Sequence, residues 1–272
     1  MKIFEDKVCV ITGAGSGIGR QLAISLSGIG AKVVISDKNR ATLEETRLII
    51  GSRQQDVCNL DVSEYQEVKA HLHETAERLG SIDYVFNNAG IAIAADARDY
   101  EMSHWEKVVQ VNLMGVIYGT DVAYKIMTKQ RRGHIINIAS LSGLIPFPTN
   151  VPYATTKHGV VGLSRSLRVE GQALGVNVSV VCPGFVESNI YKASEYINTD
   201  SERFLNAPLP FKKVPTEVAV NKILMGVEKN KEVIVFPFSG VITWALFRVS
   251  ASLIAGVTKG FIASFRKFRE KA

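Results

Sequence analysis

Short apolar runs rich in β-branched residues alternate along the chain with segments whose apolar residues recur at helical spacing. The first run, residues 7–12, is followed by a pattern of period 3.6 over residues 18–27. Further strands are predicted at residues 32–36, 53–60, 82–86, 134–139, 176–182 and 232–236. This alternation predicts an α/β fold, a single Rossmann-type, doubly wound sheet of seven parallel strands with helices on both faces.

Three predicted helices carry features that matter for function. Ser63 is a suitable N-cap for an amphipathic helix that ends near Leu79, and a long helix over residues 102–129 carries Asn112 in its interior. Asparagine has a low helix propensity, so we interpret Asn112 as a buried amide that bridges backbone groups. A third helix is predicted over about residues 152–171, after a loop that contains two prolines.

The chain of 272 residues is 46% hydrophobic and has a mean hydropathy of +0.11, which is sufficient for one large domain with a buried core. Cys9, Cys58 and Cys182 lie in predicted strands, so we expect reduced core cysteines and no metal site. Residues 1–7 are mixed in charge, so we expect no secretory signal and a cytoplasmic protein.

The net charge of +6 is concentrated in the C-terminal tail, which we define as residues 240–272. Six basic residues against one acid give the tail +5 and leave +1 for residues 1–239. These basic residues are Arg248, Lys259, Arg266, Lys267, Arg269 and Lys271. Because the body is nearly neutral, we expect no nucleic-acid partner.

A glycine-rich turn lies between the first predicted strand and helix, with Gly13, Gly17 and Gly19 spaced as G-x-x-x-G-x-G. Glycines let the backbone approach a pyrophosphate at a helix N-terminus, where unpaired N–H groups and the helix dipole favour negative charge. The turn therefore predicts a dinucleotide cofactor. The alternative is a tight turn of some other α/β protein.

Asp37 ends the second predicted strand, where a carboxylate can accept hydrogen bonds from the adenosine ribose and repel a 2′-phosphate. This position favours NAD over NADP, although the nearby Lys38 and Arg40 could soften the preference. The alternative is that Asp37 is only an N-cap or turn residue before Asn39.

Two adjacent amides follow the fourth predicted strand, in the sequence Asn87-Asn88-Ala89-Gly90. Such amides can hydrogen-bond a ribose of the cofactor, or they can pin neighbouring strands to each other. Both interpretations place them near the glycine turn, because ligands of parallel sheets bind at the carboxyl ends of the strands.

Tyr153 and Lys157 lie four residues apart in a predicted helix, so their side chains share one face. A nearby ammonium favours the phenolate and lowers the pKa of the tyrosine towards working pH, which suits an acid/base pair. The spacing by itself is also typical of an ordinary solvated helix face.

Taken in order, these motifs resemble those of the short-chain dehydrogenase/reductase family over about residues 7–237. The matching residues are Thr12 to Gly19, Asp61-Val62, Asn87 to Gly90, Asn112, Ser140, Tyr153, Lys157 and Pro183-Gly184. Ser140 precedes Tyr153 by 13 residues, as in that family. One departure is Ala139, where the family often has a second serine. The resemblance implies a dinucleotide-binding catalytic domain over residues 1–239 with a substrate lid at about 187–214, and the tail as an amphipathic extension.

The resemblance also implies roles for individual residues. Tyr153 would exchange a proton with the substrate oxygen, while Lys157 would lower its pKa and bind the nicotinamide ribose. Ser140 would hydrogen-bond the substrate oxygen, and Asn112 would hold a water in a proton relay. The cofactor-binding residues would be Gly13, Ser16, Gly17, Ile18, Gly19, Asp37, Asp61, Val62, Asn88, Gly90, Tyr153, Lys157, Pro183, Gly184, Val186 and Ser188, the last often threonine in the family.

The implied reaction interconverts an alcohol and a ketone or aldehyde, with NAD as the expected cofactor and NADP left open. Family members of this kind suggest a homodimer or homotetramer. Three rival functions are an NADP-dependent keto or acyl reductase, a dinucleotide-sensing binding protein, and a scaffold whose tail is the functional part. Asp37 disfavours the first, and the complete set of catalytic residues disfavours the other two.

Substrate choice is expected in the lid, helped by Ile145 and Phe147. The apolar and aromatic lid residues are Ile190, Tyr191, Tyr196, Ile197, Phe204, Leu205, Leu209 and Phe211. They predict a roomy pocket for an apolar substrate of lipid, steroid or retinoid type. Alternatively, they only pack the lid onto the body.

The tail is predicted not to cross a bilayer, because its apolar stretch over residues 241–257 is short and interrupted by Arg248. Phe261, Ile262, Phe265 and Phe268 recur at helical spacing with the basic residues off that face, which is typical of a helix in peripheral contact with a membrane. The alternative is that this face packs on the enzyme or across an oligomer interface.

Overall fold

The structure is a computed structural model that describes residues 1–51, 54–206 and 213–269. The predicted start of the third strand at Arg53 lies outside the described residues. So do residues 207–212 of the predicted lid, with Leu209 and Phe211, and the last three residues of the tail.

A parallel sheet of seven strands forms the centre of the described part of the chain, in the order β3-β2-β1-β4-β6-β7-β9. In chain order the strands are β1 Val8–Thr12, β2 Lys32–Asp37, β3 Gln54–Asn59, β4 Tyr84–Asn87, β5 Ile93–Ala94, β6 Gly133–Ile138, β7 Val176–Pro183, β8 Glu195–Tyr196 and β9 Val233–Phe236. The predicted sheet is thus confirmed. The separate parallel pair β5 and β8 was not predicted, because strands of two residues carry no periodic signal.

Helices cover both faces of the sheet. In chain order they are α1 Gly17–Ile29, α2 Arg40–Ile50, α3 Tyr65–Leu79, α4 Met102–Val109, α5 Gly115–Gln130, α6 Val151–Gly171, α7 Ile190–Ala193, α8 Ser201–Asn206, α9 Thr216–Glu228, α10 Phe238–Val249 and α11 Ser252–Phe265. Buried residues of α1, α2 and α9 share one core cluster with the sheet, whereas α3 and α5 contribute to another. A third cluster joins α6 to the tail.

The predicted helix over residues 102–129 is present but is interrupted at its centre. A π-helical turn, Gln110–Met114, joins α4 to α5 and carries the buried Asn112. Such turns insert one residue into a helix and occur frequently at functional sites. The π-helical turn also accommodates Asn112, a residue that has a low propensity for regular α-helix.

The predicted N-cap at Ser63 is wrong. Glu64 precedes the first residue of α3, and the Ser63 hydroxyl donates instead to Asp61 Oδ1 at 2.7 Å. The amide of Ser63 donates to the same oxygen at 3.0 Å. The aspartate side chain readily accepts hydrogen bonds from the residue two positions later, which closes a turn. The Ser63 hydroxyl is therefore used in this turn and does not cap the helix.

Asn87 links strands and helices beneath the carboxyl edge of the sheet. Its Nδ2 donates to Asn137 Oδ1 at 2.8 Å and to Thr120 Oγ1 at 3.2 Å. A Cβ at Gly119 of α5 would overlap Asn87 Oδ1, so only glycine lets the helix approach this amide. The contact sets the distance between α5 and the sheet.

We expect Gly119→Ala to lower the free energy of unfolding by at least about 2 kcal/mol, because the new methyl group must displace a buried, hydrogen-bonded amide. The matched control is Gly162→Ala in α6, where an added Cβ would have no neighbour within 4 Å. The control should gain about 0.5–1 kcal/mol from alanine's higher helix propensity. Urea unfolding measures both, and equal changes in the two variants would contradict the packing argument.

Candidate active site

The turn between β1 and α1 packs against neighbouring backbone so closely that two of its glycines have no space for a side chain. Gly13 has φ +66°, and a Cβ there would lie 2.7 Å from Ala89 Cα. A Cβ at Gly19 would collide with the carbonyl of Gly13. Ser16 precedes α1 in extended conformation without a side-chain cap, and Ser188 approaches Gly17 from the opposite side. The uncapped helix N-terminus in a glycine cradle fits the pyrophosphate of a dinucleotide.

Asp37 lies beside this turn. Its Oδ2 accepts from the Gly15 amide at 2.9 Å, and its Oδ1 accepts from the Asn39 amide at 2.8 Å. Asn39, not Asp37, caps α2. The contact to Gly15 was missed at the level of sequence: a Cβ at Gly15 would lie 2.8 Å from Asp37 Oδ2, so this glycine is also required.

Asp61 forms an ion pair with Lys38 next to Asp37. Although its partial burial opposes ionisation, hydrogen bonds from Lys38 and Ser63 hold the pKa of Asp61 below its ordinary value. Because of this ion pair, the ammonium of Lys38 faces a carboxylate of its own chain.

Val62, the residue after Asp61, is buried. It packs so closely on Gly115 that a Cβ at Gly115 would lie 2.9 Å from Val62 Cγ2.

Asn88 pins β4 to the glycine turn. Its Nδ2 donates to the carbonyls of Thr12 at 3.0 Å and Gly13 at 3.1 Å, and its amide donates to Thr12 Oγ1 at 3.0 Å. These hydrogen bonds join neighbouring segments of the chain, which is the second of the two roles predicted for the amides.

Tyr153 and Lys157 share one face of α6, as the four-residue spacing predicts. Lys157 Nζ lies 5.4 Å from the centroid of the Tyr153 ring and donates to the carbonyl of Ile138 at 2.8 Å. Tyr153 shares a side-chain hydrogen bond with Ser140, which follows β6. Three of the four predicted catalytic side chains, Ser140, Tyr153 and Lys157, are thus brought together at the carboxyl edge of the sheet.

Burial, not the neighbouring charge, has the largest effect on the pKa values of Tyr153 and Lys157. It raises the pKa of Tyr153 to about 12, against the opposing hydrogen bond from Ser140, and it lowers the pKa of Lys157 to about 8. The expectation that Lys157 lowers the tyrosine pKa does not hold in this geometry, because both groups are removed from water. At neutral pH the phenol keeps its proton.

Asn112 is fully buried and forms two bonds with the backbone of Ile91. Its Oδ1 accepts from the Ile91 amide and its Nδ2 donates to the Ile91 carbonyl, both at 2.8 Å. The predicted bridging role is confirmed. A Cβ at Gly90 would lie 3.3 Å from Asn112 Oδ1 and 3.6 Å from Lys157 Nζ, so Gly90 separates the two side chains.

The chain after β7 closes the other side of the site. Pro183 ends the strand, and the amide of Gly184 donates to the Phe236 carbonyl at 2.8 Å. Val186 is buried and pairs with Val214 in an isolated parallel bridge. This arrangement carries the chain back to Ser188 above the glycine turn. Ile18, the second residue of α1, is half-buried and packs against the core cluster that α1 shares with the sheet.

A cavity of about 580 Å³ adjoins Ser140 and Tyr153. The predicted pocket residues that line it are Ile145, Phe147, Ile190, Tyr191, Tyr196, Phe204 and Leu205. Ile197 is not among the described lining residues, and its amide donates to the Ala94 carbonyl at 3.0 Å. The cavity wall is predominantly apolar, and Ser140 and Tyr153 are among its polar lining residues.

The tail forms part of this wall. Phe261 packs on Phe147 in a tilted arrangement with ring centroids 5.4 Å apart, and Phe265 meets Phe204 edge-on at 5.2 Å. Phe265, only 1% exposed, is fully buried. The phenylalanine face predicted as either a membrane face or a packing face therefore packs on the enzyme.

Two ion pairs hold the end of the tail against the body. Arg266 Nε lies 2.7 Å from Asp96 Oδ2, and Arg269 binds both carboxylate oxygens of Asp99 at 2.6 and 2.9 Å. We call these pairs the tail clasp. The clasp was missed from sequence, although both pairs of residues share a three-residue spacing that could have suggested it.

A sequence model of the short chain dehydrogenase family matches residues 7–196. The chain belongs to the short-chain dehydrogenase family. A short-chain dehydrogenase/reductase from Burkholderia phymatum, solved in complex with NAD, superposes on it with a TM-score of 0.84 and 29% identity, covering 92% of this chain and 95% of that one.

Relatives of this short-chain dehydrogenase include two oxidoreductases. An uncharacterized oxidoreductase of Staphylococcus aureus is 33% identical over 226 residues, which are 82% of this chain and 98% of that protein. Levodione reductase of Leifsonia aquatica is 37% identical over 188 residues, which are 67% of this chain and 70% of that protein. The protein is therefore an NAD(P)-dependent oxidoreductase that acts on CH–OH groups.

We expect Asp99→Asn to loosen the tail, because the substitution leaves Arg269 without its charged partner. Trypsin should then cut at Arg266 and Lys267 several-fold faster than in the unmodified protein. Asp121→Asn is the matched control, since Asp121 pairs with Lys125 on the exposed surface of α5. Equal cleavage rates in both variants would contradict a holding role for the clasp.

The same pair should show a defined pH dependence. The hydrogen bond from Arg269 lowers the pKa of Asp99 to about 2, whereas an unfolded aspartate titrates near ~3.9. Its stabilising contribution is therefore complete above about pH 4 and is lost as the pH falls towards 2. The Tm difference between the unmodified protein and Asp99→Asn should shrink over that range and stay constant above it.

Proposed function

We propose that this enzyme interconverts an apolar alcohol and the corresponding ketone or aldehyde, with NAD as its preferred cofactor. The observation that carries the proposal is that Ser140 and Tyr153 line a large, mostly apolar cavity. A substrate with one oxygen and an extended hydrocarbon body matches that distribution of polar and apolar surface. Lipid-, steroid- or retinoid-like compounds have this composition.

The preference for NAD is supported by the surroundings of the glycine turn. Asp37 presents a carboxylate beside Gly15, where a 2′-phosphate would meet negative charge. Of the two nearby cations that could offset this charge, Lys38 and Arg40, Lys38 is paired with Asp61. These two contacts disfavour the rival NADP-dependent reductase.

The proposed proton transfer uses groups of the chain itself. The nicotinamide, when bound, supplies hydride transfer chemistry. Tyr153 is protonated at neutral pH, so it can donate to a carbonyl oxygen while Ser140 positions that oxygen. We further propose that Lys157 binds the nicotinamide ribose and that Asn112 supports a relay water beside it. Exclusion of water by the apolar cavity wall strengthens each of these polar interactions.

We expect Tyr153→Phe to lower kcat by at least about 10²-fold, because the variant has no proton to exchange with the substrate oxygen. Tyr196→Phe is the control: it also lines the cavity, but its hydroxyl donates to the Tyr191 carbonyl. Steady-state turnover of long-chain and cyclic secondary alcohols with NAD⁺ measures the effect. Unchanged turnover in Tyr153→Phe would remove the proposed role.

We expect Asp37→Asn to shift the ratio of kcat/KM for NAD⁺ and NADP⁺ towards NADP⁺ by about tenfold or more, since about 1.4 kcal/mol of lost repulsion is sufficient. Asp121→Asn, an exposed carboxylate on α5, is the control for a general loss of negative charge. The ratio should be unaffected in the control. An unchanged ratio in Asp37→Asn would assign the cofactor preference to other residues.

A further inference from the structure

The outward side of the tail is as apolar as its packed side. Along α10 the exposed positions recur at helical spacing, and Phe238 and Val249 are 77% and 80% exposed. On α11, Leu253 and Val257 are 53% and 57% exposed. We call the exposed residues Phe238, Val241, Ile242, Leu246, Val249 and Leu253, together with Val257, the outer tail face. Contiguous apolar surface of this kind marks a contact site.

All charged residues within 238–269 are cations. Residues 238–269 contain no aspartate or glutamate. Two of their five cations, Arg266 and Arg269, are held in the tail clasp, and the other three, Arg248, Lys259 and Lys267, are exposed. Arg248 lies over the ring of Trp244 at 5.4 Å, a cation beside an aromatic ring at the rim of an apolar face.

The outer tail face is continuous with the cavity. Leu246, Leu253 and Val257 belong to both, since each lines the cavity and is also more than 40% exposed. A compound that enters the cavity from this face therefore first meets the apolar side chains of Leu246, Leu253 and Val257. The catalytic hydroxyls of Ser140 and Tyr153 lie on the same cavity.

We propose that the outer tail face docks on the surface of a membrane that contains anionic lipids, and that apolar substrate reaches the cavity from that membrane. The second clause rests on the apolar substrate proposed above. An anionic lipid surface complements an apolar face with the exposed Arg248 at its rim, on a segment whose other free charges are also cations, because each lysine or arginine near such a surface gains about 1 kcal/mol. A second copy of the chain fits less well, since two such faces would bring like charges together without an intervening acid.

Docking does not require a spanning helix. Among residues 1–51, 54–206 and 213–269, no single helix is long and apolar enough to cross a bilayer. Only the pair Phe238–Val249 and Ser252–Phe268 passes on length and composition together, and it is bent by 120°. A bent pair whose inner phenylalanines are packed against the body can lie in the interface and leave the body in water.

The experiment is co-sedimentation of the full chain with vesicles of phosphatidylcholine alone and of phosphatidylcholine mixed with phosphatidylglycerol. Val249→Glu and Phe238→Glu place a negative charge in the outer tail face. Val169→Glu on α6 is the matched control, since Val169 is 76% exposed but lies outside the tail. Size-exclusion chromatography of every variant reports the oligomeric state, and turnover of a water-soluble ketone without vesicles reports the intact active site.

We expect the unmodified chain and Val169→Glu to bind the anionic vesicles equally, and both tail variants to bind them at least about tenfold more weakly. Binding should also fall when salt rises from about 0.1 to about 1 M, because the Debye length shrinks from about 10 to about 3 Å. Turnover of the soluble ketone should be unchanged in Val249→Glu, so that loss of docking is separated from loss of catalysis.

Equal pelleting of all variants, or no pelleting of the unmodified chain, would overturn the proposal. A tail variant that changes the oligomeric state while its vesicle binding is unaffected would assign the face to a second copy instead. Vesicle binding without turnover of any apolar alcohol would leave the docking intact and contradict the proposed substrate.

Discussion

The close approach of backbone segments at the carboxyl edge of the sheet is the constraint on which the site depends. Asn88 binds the carbonyls of Thr12 and Gly13, while Asn87 joins β4 to β6 through Asn137. Asn137 Nδ2 in turn donates to Ser164 Oγ of α6 at 3.0 Å. These buried amides satisfy one another and so tie the glycine turn to the helix that carries Tyr153 and Lys157. The distance between cofactor cradle and acid–base pair follows from this network.

Removal of water sets the chemistry of that pair. Charged forms are disfavoured on burial, so the tyrosine keeps its proton and the lysine holds its proton less firmly than in water. Proximity of the two groups therefore does not by itself produce a phenolate. The same exclusion of water leaves the cavity beside them suited to a hydrocarbon body. Burial thus sets the acid–base balance of the pair and would also favour the apolar substrate proposed above.

One side of the tail packs on the enzyme, and the other side is exposed and apolar. Its inner phenylalanines complete the cavity wall, and the clasp between its arginines and Asp96 and Asp99 fixes it there. A helix that is apolar all round needs a partner on each side. The body of the enzyme supplies one partner, and the lipid surface proposed above would be the other. A cavity wall built from such an element connects substrate access with the surroundings of the protein.

Local pattern in the sequence determined the order of strands and helices, the parallel sheet, the glycine turn and the shared face of Tyr153 and Lys157, because each depends on spacing within one element. Tertiary structure decided what each side chain does there. Ser63 does not take the expected capping role, because its hydroxyl donates to Asp61. Gly15 has little space for a side chain because Asp37 and Thr42 approach it from other elements. Whether the phenylalanines of the tail face a membrane or the enzyme depends on Phe147 and Phe204, far away in sequence. Long-range contacts, burial and their effects on pKa leave no periodic signal in the chain, so only the folded structure decides them.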